Sequence, residues 1–534
     1  MNVACAVVDK IESNYLSIGE NKYTIMKTIL LVLCSVLYTT RPQAIDRRVG
    51  RLREVFAWKQ LSYNIDGVLY QQDQFDEPNG VSLGNTRDRA KRQSGSGFFF
   101  DNNEADTERN WNQQSTTNRN RSQGNRPSRR PWTNRPTSTT TSRPDLGVST
   151  STISPRDENG RFFVQYNNVP MGVERVGDRV FVTVPRRRYG IPSTLNYIDL
   201  SQASNTLSPA LKPYPSLQAS RSLTSVYRTR ADSCGRLWLV DTGMLEIPNN
   251  RQQIQRPAVV IYDLKTDRQI LRYPFKDSDI PAENTPTGLA SITVDITDGD
   301  CDNAFAYIPE LTTFGVIVFS LRERDSWRLS HNYFSFNPVA GNLNIAGQRF
   351  QWSDGVFSIT LGSGSGGCRA AYFHPLISTH EFSVSTCVLK NRTASQDSNF
   401  WSQFSLLGNR GENSQSTMHD YHAATRVVFF AEIGRDAVSC WNNGNPLRAT
   451  NIAILAQDSQ RLSYPSDLHV SGDEVWVISN SLPRFGYSRL DVNEYNFYVY
   501  KANVQELISG TACEGFRAIA NRAGTDDDQN TETN

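Results

Sequence analysis

Two stretches far apart in the chain, Pro170-Met-Gly-Val-Glu-Arg-Val-Gly-Asp-Arg-Val-Phe181 and Pro465-Ser-Asp-Leu-His-Val-Ser-Gly-Asp-Glu-Val-Trp476, share one layout. Each reads as a strand, a Gly-Asp turn and a second strand ending on an aromatic residue. The second half recurs as Arg236-Leu-Trp-Leu-Val, Ala304-Phe-Ala-Tyr-Ile, Ala370-Ala-Tyr-Phe-His and Val427-Val-Phe-Phe-Ala. With Phe181, Trp238, Ala306, Tyr372, Phe429 and Trp476 as equivalents, the intervals are 57, 68, 66, 57 and 47 residues, the length of one four-stranded sheet with its loops. A lone hairpin unit of this size cannot bury both faces, and stacking the sheets radially leaves only short protected edges. Six units over residues 159–516 therefore predict an all-β, six-bladed β-propeller. The competing architecture is a pair of β-sandwiches, and six copies at near-regular spacing favour the ring.

Composition agrees with strands and turns. The 534 residues include 24 Pro, 34 Gly and 10% aromatics, and 38% hydrophobic residues are enough for a sizeable core. Lys and Arg number 56 against 54 Asp and Glu, a net charge of +2, so no global field draws the chain to nucleic acid or an anionic membrane.

Outside the repeats the chain changes character. The run Ile29–Tyr38 after Met26-Lys27 is too short for a membrane span and reads as the core of a signal peptide. Residues 1–44 are thus a leader, Met26 a better initiator than Met1, and Ala44 a weak cleavage residue because Pro42 stands where a small residue is expected. No membrane attachment is expected once it is removed. Residues 45–92 end in the multibasic Arg87-Asp-Arg-Ala-Lys-Arg92, which predicts a propeptide cut after Arg92 and a secreted form beginning at Gln93. Residues 93–158 hold almost no aliphatic side chains, so burial cannot offset the ordering cost and a disordered N-terminal extension is expected. Residues 517–534 read as a disordered acidic tail.

Six cysteines follow the leader, Cys234, Cys301, Cys368, Cys387, Cys440 and Cys513. An even number in a secreted chain implies three disulfides, although six cysteines allow fifteen pairings. Asn120-Arg-Ser and Asn391-Arg-Thr are glycosylation sequons, as a secreted protein would carry.

Enzyme motifs are scarce. His419 and His422 in Met-His-Asp-Tyr-His form a thin metal candidate without HExxH or a third ligand, and no metal or cofactor is expected. No GxSxG elbow occurs. Gly362-Ser-Gly-Ser-Gly-Gly367 lacks the Lys-Ser/Thr of a phosphate loop and reads as a hairpin connection. Asp295-Ile-Thr-Asp-Gly-Asp-Cys-Asp302 lacks EF-hand spacing and reads as a tight turn between strands.

A family resemblance rests on longer motifs. Arg236-Leu-Trp-Leu-Val-Asp-Thr-Gly243, Val294-Asp-Ile-Thr-Asp-Gly-Asp-Cys-Asp-Asn-Ala-Phe-Ala-Tyr307, Ser330-His-Asn-Tyr-Phe334, Phe350-Gln-Trp-Ser-Asp-Gly355, Tyr372-Phe-His-Pro375, Cys440-Trp-Asn442, Ser479-Asn480 and Asn493-Glu-Tyr-Asn-Phe497 resemble the Yellow / major royal jelly protein family, in order from about Leu223 to Phe516. The resemblance implies a secreted, extracellular, six-bladed propeller acting in melanin pigmentation or in the hardening of cuticle or eggshell. It supplies no agreed catalytic motif. Three functions stay open: binding of a small catechol or indole amine, a dopachrome-converting isomerase or tautomerase, and a structural extracellular-matrix protein without a small ligand.

Placed on the repeats, Cys234 and Cys301 precede equivalent strands of consecutive blades, Cys368 and Cys387 flank one hairpin, and Cys440 can hold the end of the chain through Cys513. The expected bonds are 234–301, 368–387 and 440–513. For a ligand, the last repeat offers Ser466 and Asp467 entering its first strand and Asn480 and Phe485 leaving its second. Asp467 or the Asn480 carbonyl would accept an ammonium, and Phe485 or Tyr421 would face a ring.

Overall fold

The computed structural model describes residues 47–75 and 161–515, apart from 204, 205, 249, 283, 284, 286, 287 and 297. The leader, Arg92, the tract 93–158, Asn120 and the tail 517–534 lie outside the described residues. The chain divides into two units, Met1–Arg48 and Val49–Asn534, and the architecture below is that of the second.

Six antiparallel sheets follow one another as the repeats require. Blade 1 holds Gly172–Val176, Arg179–Thr183, Leu195–Asp199 and Lys212–Pro213, and blade 2 holds Val226–Ala231, Arg236–Asp241, Ala258–Asp263 and Arg268–Pro274. Blade 3 is Thr293–Ile296, Ala304–Glu310, Gly315–Ser320 and Asp325–Ser330; blade 4 is Val356–Ser365, Cys368–Pro375, His380–Ser385 and Ser405–Asn409. Blade 5 is Ser416–His422, Val427–Glu432, Ala437–Asn442 and Ile452–Gln457. Blade 6 takes Pro465–Ser471, Glu474–Ser479 and Phe497–Asn503 from this end of the chain.

All six residues taken as equivalents fall on the second strand of their blade, where both faces are covered by neighbouring sheets. Phe181, Trp238, Phe429 and Trp476 are accordingly buried in the core clusters between blades. The shared Gly-Asp turns form as predicted, with Gly177 at φ 57° and Gly472 at φ 58°, the left-handed backbone that a side chain disfavours. In blade 2 the equivalent turn is Asp232-Ser-Cys-Gly235, where Asp232 accepts the backbone N–H groups of Cys234 and Arg236, each at 2.9 Å, and the indole N–H of Trp238 at 2.7 Å.

The fourth strand of blade 6 comes from a place the repeat count misses. Leu52–Trp58 pairs antiparallel with Phe497–Asn503, Trp58 opposite Phe497 and Phe56 opposite Val499. Leu52, Phe56 and Trp58 are buried, the Trp58 indole donates to the Pro209 carbonyl at 2.8 Å, and the Ala57 N–H donates to Leu207 at 2.9 Å. The ring is thus closed by an N-terminal strand laid on a C-terminal one. This corrects the expected boundaries: residues assigned above to a propeptide over 45–92 supply a core strand, so the propeller begins well before residue 159.

Three disulfides form, Cys234–Cys301, Cys368–Cys387 and Cys440–Cys513, the pairs expected from the repeats. The last joins the third strand of blade 5 to the turn after the final helix, Val504–Ile508. The glycine-rich run is a hairpin connection between Val356–Ser365 and Cys368–Pro375, and Asp300 caps the short helical turn Cys301–Asn303, accepting the Asp302 N–H. Among the described residues no helix is long and apolar enough to cross a membrane.

Candidate functional site in the central channel

The first strand of each blade lines the ring's axis, and alternate side chains of a strand share a face. Arg228 and Arg230 of blade 2 and Asp467 and His469 of blade 6 are such pairs, and Asp420 stands on the first strand of blade 5. Charged side chains at buried strand positions require partners, and here the partners come from across the ring.

Arg230 donates through Nη1 to Asp420 Oδ2 at 2.6 Å and through Nη2 to Asp420 Oδ1 at 3.3 Å. Asp420 also accepts from the Thr360 hydroxyl at 3.0 Å and from the Val470 and Tyr421 N–H groups, both at 2.9 Å. His469 Nε2 lies 3.2 Å from Asp467 and 3.5 Å from Glu174, and its Nδ1 lies 2.6 Å from Arg230 Nη1. Burial opposes charge on Asp420, but Arg230 and His469 outweigh it and hold the carboxyl well below the usual carboxylate range. Burial likewise opposes charge on His469, and Asp467, Glu174 and Asp420 overcome it, pushing the imidazole up to about 10. The close approach of Arg230 needs His469 Nδ1 as acceptor, so a proton gained there and the Arg230 contact exclude one another. Burial raises the Glu174 carboxyl.

Above this cluster opens a cavity of about 400 Å³, bounded by blades 2 to 6. Arg230, Asp420 and His469 form its charged floor, Tyr421 gives an aromatic side, and the glycine hairpin with Ser363 and Arg369 forms its rim. Asp420 and His469, neighbours pushed in opposite directions, are the pattern of an acid–base pair, and Arg230 offers N–H donors to a developing anion.

The residues expected to bind ligand are spread over both ends of the inner strands. Tyr421 lines the cavity, its hydroxyl 3.0 Å from Ser363 Oγ. Asp467 lies beneath it, accepting the Val173 N–H at 2.8 Å and contacting Arg228 at 3.6 Å and His469. Ser466 donates to the Met171 carbonyl at 2.8 Å. Asn480 leaves the strand whose Ser479 pairs with Pro465, at the end of the inner strands opposite to Tyr421. There its amide donates to Pro170 at 2.7 Å and its carbonyl accepts the Leu482 N–H at 3.1 Å. Phe485 is buried between the Arg188 guanidinium, 4.0 Å above its ring, and Tyr166. Asn391 is exposed, its carbonyl accepting from Thr393.

The sequence reading passed over Arg230, Asp420, His469 and Arg369. For the first three the signal was present, charged residues inside the first strand of a repeat otherwise built to be buried, whereas Arg369 stands on the second strand of blade 4, just after the glycine hairpin.

The metal candidate also reorganises. His419 and His422 point to different partners, His422 to Thr425 at 2.8 Å and Asp473 at 3.1 Å. His419 instead joins His374 and Glu381, all buried, with Glu381 3.0 Å from His374 Nδ1 and 3.1 Å from His419 Nε2. These are metal-type donors. Arg410, however, already donates to the same carboxylate at 2.6 Å and bonds the Ser378 and Ser414 carbonyls, which makes the group a polar joint between blades 4 and 5. Burial pushes the Glu381 carboxyl up, and His374 and His419 more than reverse this.

The family model described as "Major royal jelly protein" matches residues 224–513, five of the six blades. The chain belongs to the major royal jelly protein family. Among curated relatives of this family member, "L-dopachrome tautomerase yellow-f" of Drosophila melanogaster is 46% identical over 360 residues, 66% of this chain and 83% of that one. "Dopaminechrome tautomerase" of the same species is 36% identical over 369 residues, covering 66% and 78%. "Protein yellow" of Drosophila erecta is 39% identical over 362 residues, covering 66% and 65%.

Proposed function

We propose that this major royal jelly protein family member is a secreted tautomerase of dopachrome-type aminochromes, serving melanin pigmentation or the hardening of cuticle or eggshell. The observation that carries the reading is the Arg230–Asp420–His469 cluster at the floor of a ring-sized cavity. Two relatives named as tautomerases of such compounds support it. Secretion is supported by the three disulfides, which persist in oxidising compartments.

Tautomerisation of an aminochrome moves two protons from its saturated ring carbons to its two quinone oxygens, with no oxidant, reductant or cofactor. It needs a proton acceptor, a donor, and cationic N–H groups where negative charge gathers on oxygen. Asp420 is the carboxylate on the wall, Arg230 the charge stabiliser, and His469 the proton donor in its protonated form, in which Nδ1 carries the proton and no longer accepts from Arg230. A carboxylate held as low as Asp420 is a weak base, so most of the acceleration falls to Arg230 and His469. Binding of an amine, the first expectation from sequence, asks for anionic lining around an ammonium. The wall sets two arginines against one carboxylate, which favours the tautomerase.

The test is the fading of coloured dopachrome, generated from L-dopa, with purified protein. The rate should rise in proportion to protein concentration, and His469→Gln should lower kcat roughly 100-fold or more in a variant whose near-ultraviolet circular dichroism is unchanged. A rate no faster than with heat-inactivated protein removes the proposal.

A further inference from the structure

Two arginines line the cavity, and they are not equivalent. Arg230 is held in a two-pronged ion pair with Asp420. Arg369 stands at the rim, directly after the glycine hairpin, with 39% of its side chain exposed. Its Nη2 donates to the Ile296 carbonyl at 2.9 Å and its Nε lies 3.4 Å from Asp295 Oδ1. Its Nη1 has no partner among the described residues. Asp295 does not neutralise it alone, because the same carboxylate takes the Lys390 ammonium at 2.8 Å and the Tyr307 hydroxyl at 3.0 Å. Two cations, Arg369 and Lys390, therefore share one carboxylate at the rim, and Arg369, itself a lining residue of the cavity, keeps an N–H donor in reserve.

The position is fixed in advance of any ligand. The Arg369 backbone N–H donates to Thr386 Oγ1 at 2.9 Å, and the preceding residue is clamped by the Cys368–Cys387 disulfide. A guanidinium whose place is set by the fold loses less freedom on meeting a planar anion, and its fork matches a carboxylate in shape.

We propose that Arg369 is a carboxylate subsite, so that the cavity selects bicyclic aromatic substrates bearing a ring carboxylate over their decarboxylated counterparts. Under the tautomerase reading, on which the choice of substrates rests, this means dopachrome-type acids rather than dopaminechrome-type compounds. The carboxylate pairs with Arg369 at the rim, the rings lie beside Tyr421, and the quinone oxygens reach toward Arg230.

Calorimetry with indole-2-carboxylate and indole as probes tests the subsite without requiring turnover. The unaltered protein should bind the acid roughly 10-fold or more tightly than indole, Arg369→Gln should erase that difference, and Arg369→Lys should restore part of it. Equal binding of the two probes by the unaltered protein, or an acid preference that survives Arg369→Gln, overturns the subsite. Steady-state kinetics separate the two proposals. An acid preference lost in Arg369→Gln without any turnover of dopachrome leaves the subsite standing and removes the tautomerase. Turnover with a dopachrome-to-dopaminechrome kcat/KM ratio near one, unmoved by the substitution, removes the subsite and leaves the tautomerase.

Discussion

Asp436 shows how a single residue can cost stability at the pH where a protein works. It sits in a tight turn of blade 5 at φ 49°, and its carboxylate accepts the Tyr464 N–H at 3.2 Å. Burial pushes its carboxyl up to about 6, against the lowering effect of that hydrogen bond. Because the folded value lies above the unfolded one, the favourable contribution is complete below the ordinary aspartate range and is lost as pH rises through about 6. Asn keeps the carbonyl oxygen for Tyr464 and tolerates the left-handed backbone. Asp436→Asn should therefore raise stability at about pH 8 by ~1 kcal/mol, a figure reduced for partial exposure, and should be neutral near pH 4. Paired thermal melts at the two pH values check this. A gain of equal size at both would assign the effect to packing instead. At this scale sequence was informative about type and blind to partner: His469 and Asp420 could be seen as charged residues inside strands, but not as neighbours.

Among the elements, Leu52–Trp58 has the largest consequence for its length. As an outer strand of blade 6 it is laddered to Phe497–Asn503 along one edge and anchored by buried side chains. Trp58 is fully buried and its indole N–H is satisfied by Pro209. Trp58→Ala should destabilise by ~3–5 kcal/mol, combining lost burial with a cavity, whereas Arg53→Ala on the exposed side of the same strand should stay within ~0.5 kcal/mol. Urea unfolding of both variants provides the comparison, and equal midpoints would mean that the strand is dispensable. The multibasic run at Arg92 takes a different meaning once this strand is in place. Cleavage there would leave residues 52–58 bound through the sheet rather than released, so a form starting at Gln93 would keep blade 6 whole only as a two-chain protein.

For the whole molecule, closure depends on two devices of different chemistry, the strand pairing of blade 6 and the Cys440–Cys513 bond. That bond spans 73 residues and Cys368–Cys387 only 19, so its loss frees more of the unfolded chain. Replacing both Cys440 and Cys513 by Ala should cost ~4 kcal/mol, and replacing Cys368 and Cys387 ~3 kcal/mol. Thermal melts of the two double variants test the order, and a smaller loss for the 440–513 pair would show that the sheet alone secures the ring. The sequence by itself determined the number of blades, the strands carrying Trp238 and Trp476, the turns at Gly177 and Gly472 and the cysteine pairs, because each follows from a period or turn chemistry read within a few tens of residues. Only the tertiary structure decided that Leu52–Trp58 completes the last sheet and that Arg230 meets Asp420 and His469, 190 and 239 residues away. A ring brings the first strands of all its blades to one axis whatever their distance along the chain, so the local pattern shows that a charge points inward, and closure alone settles which charges face it.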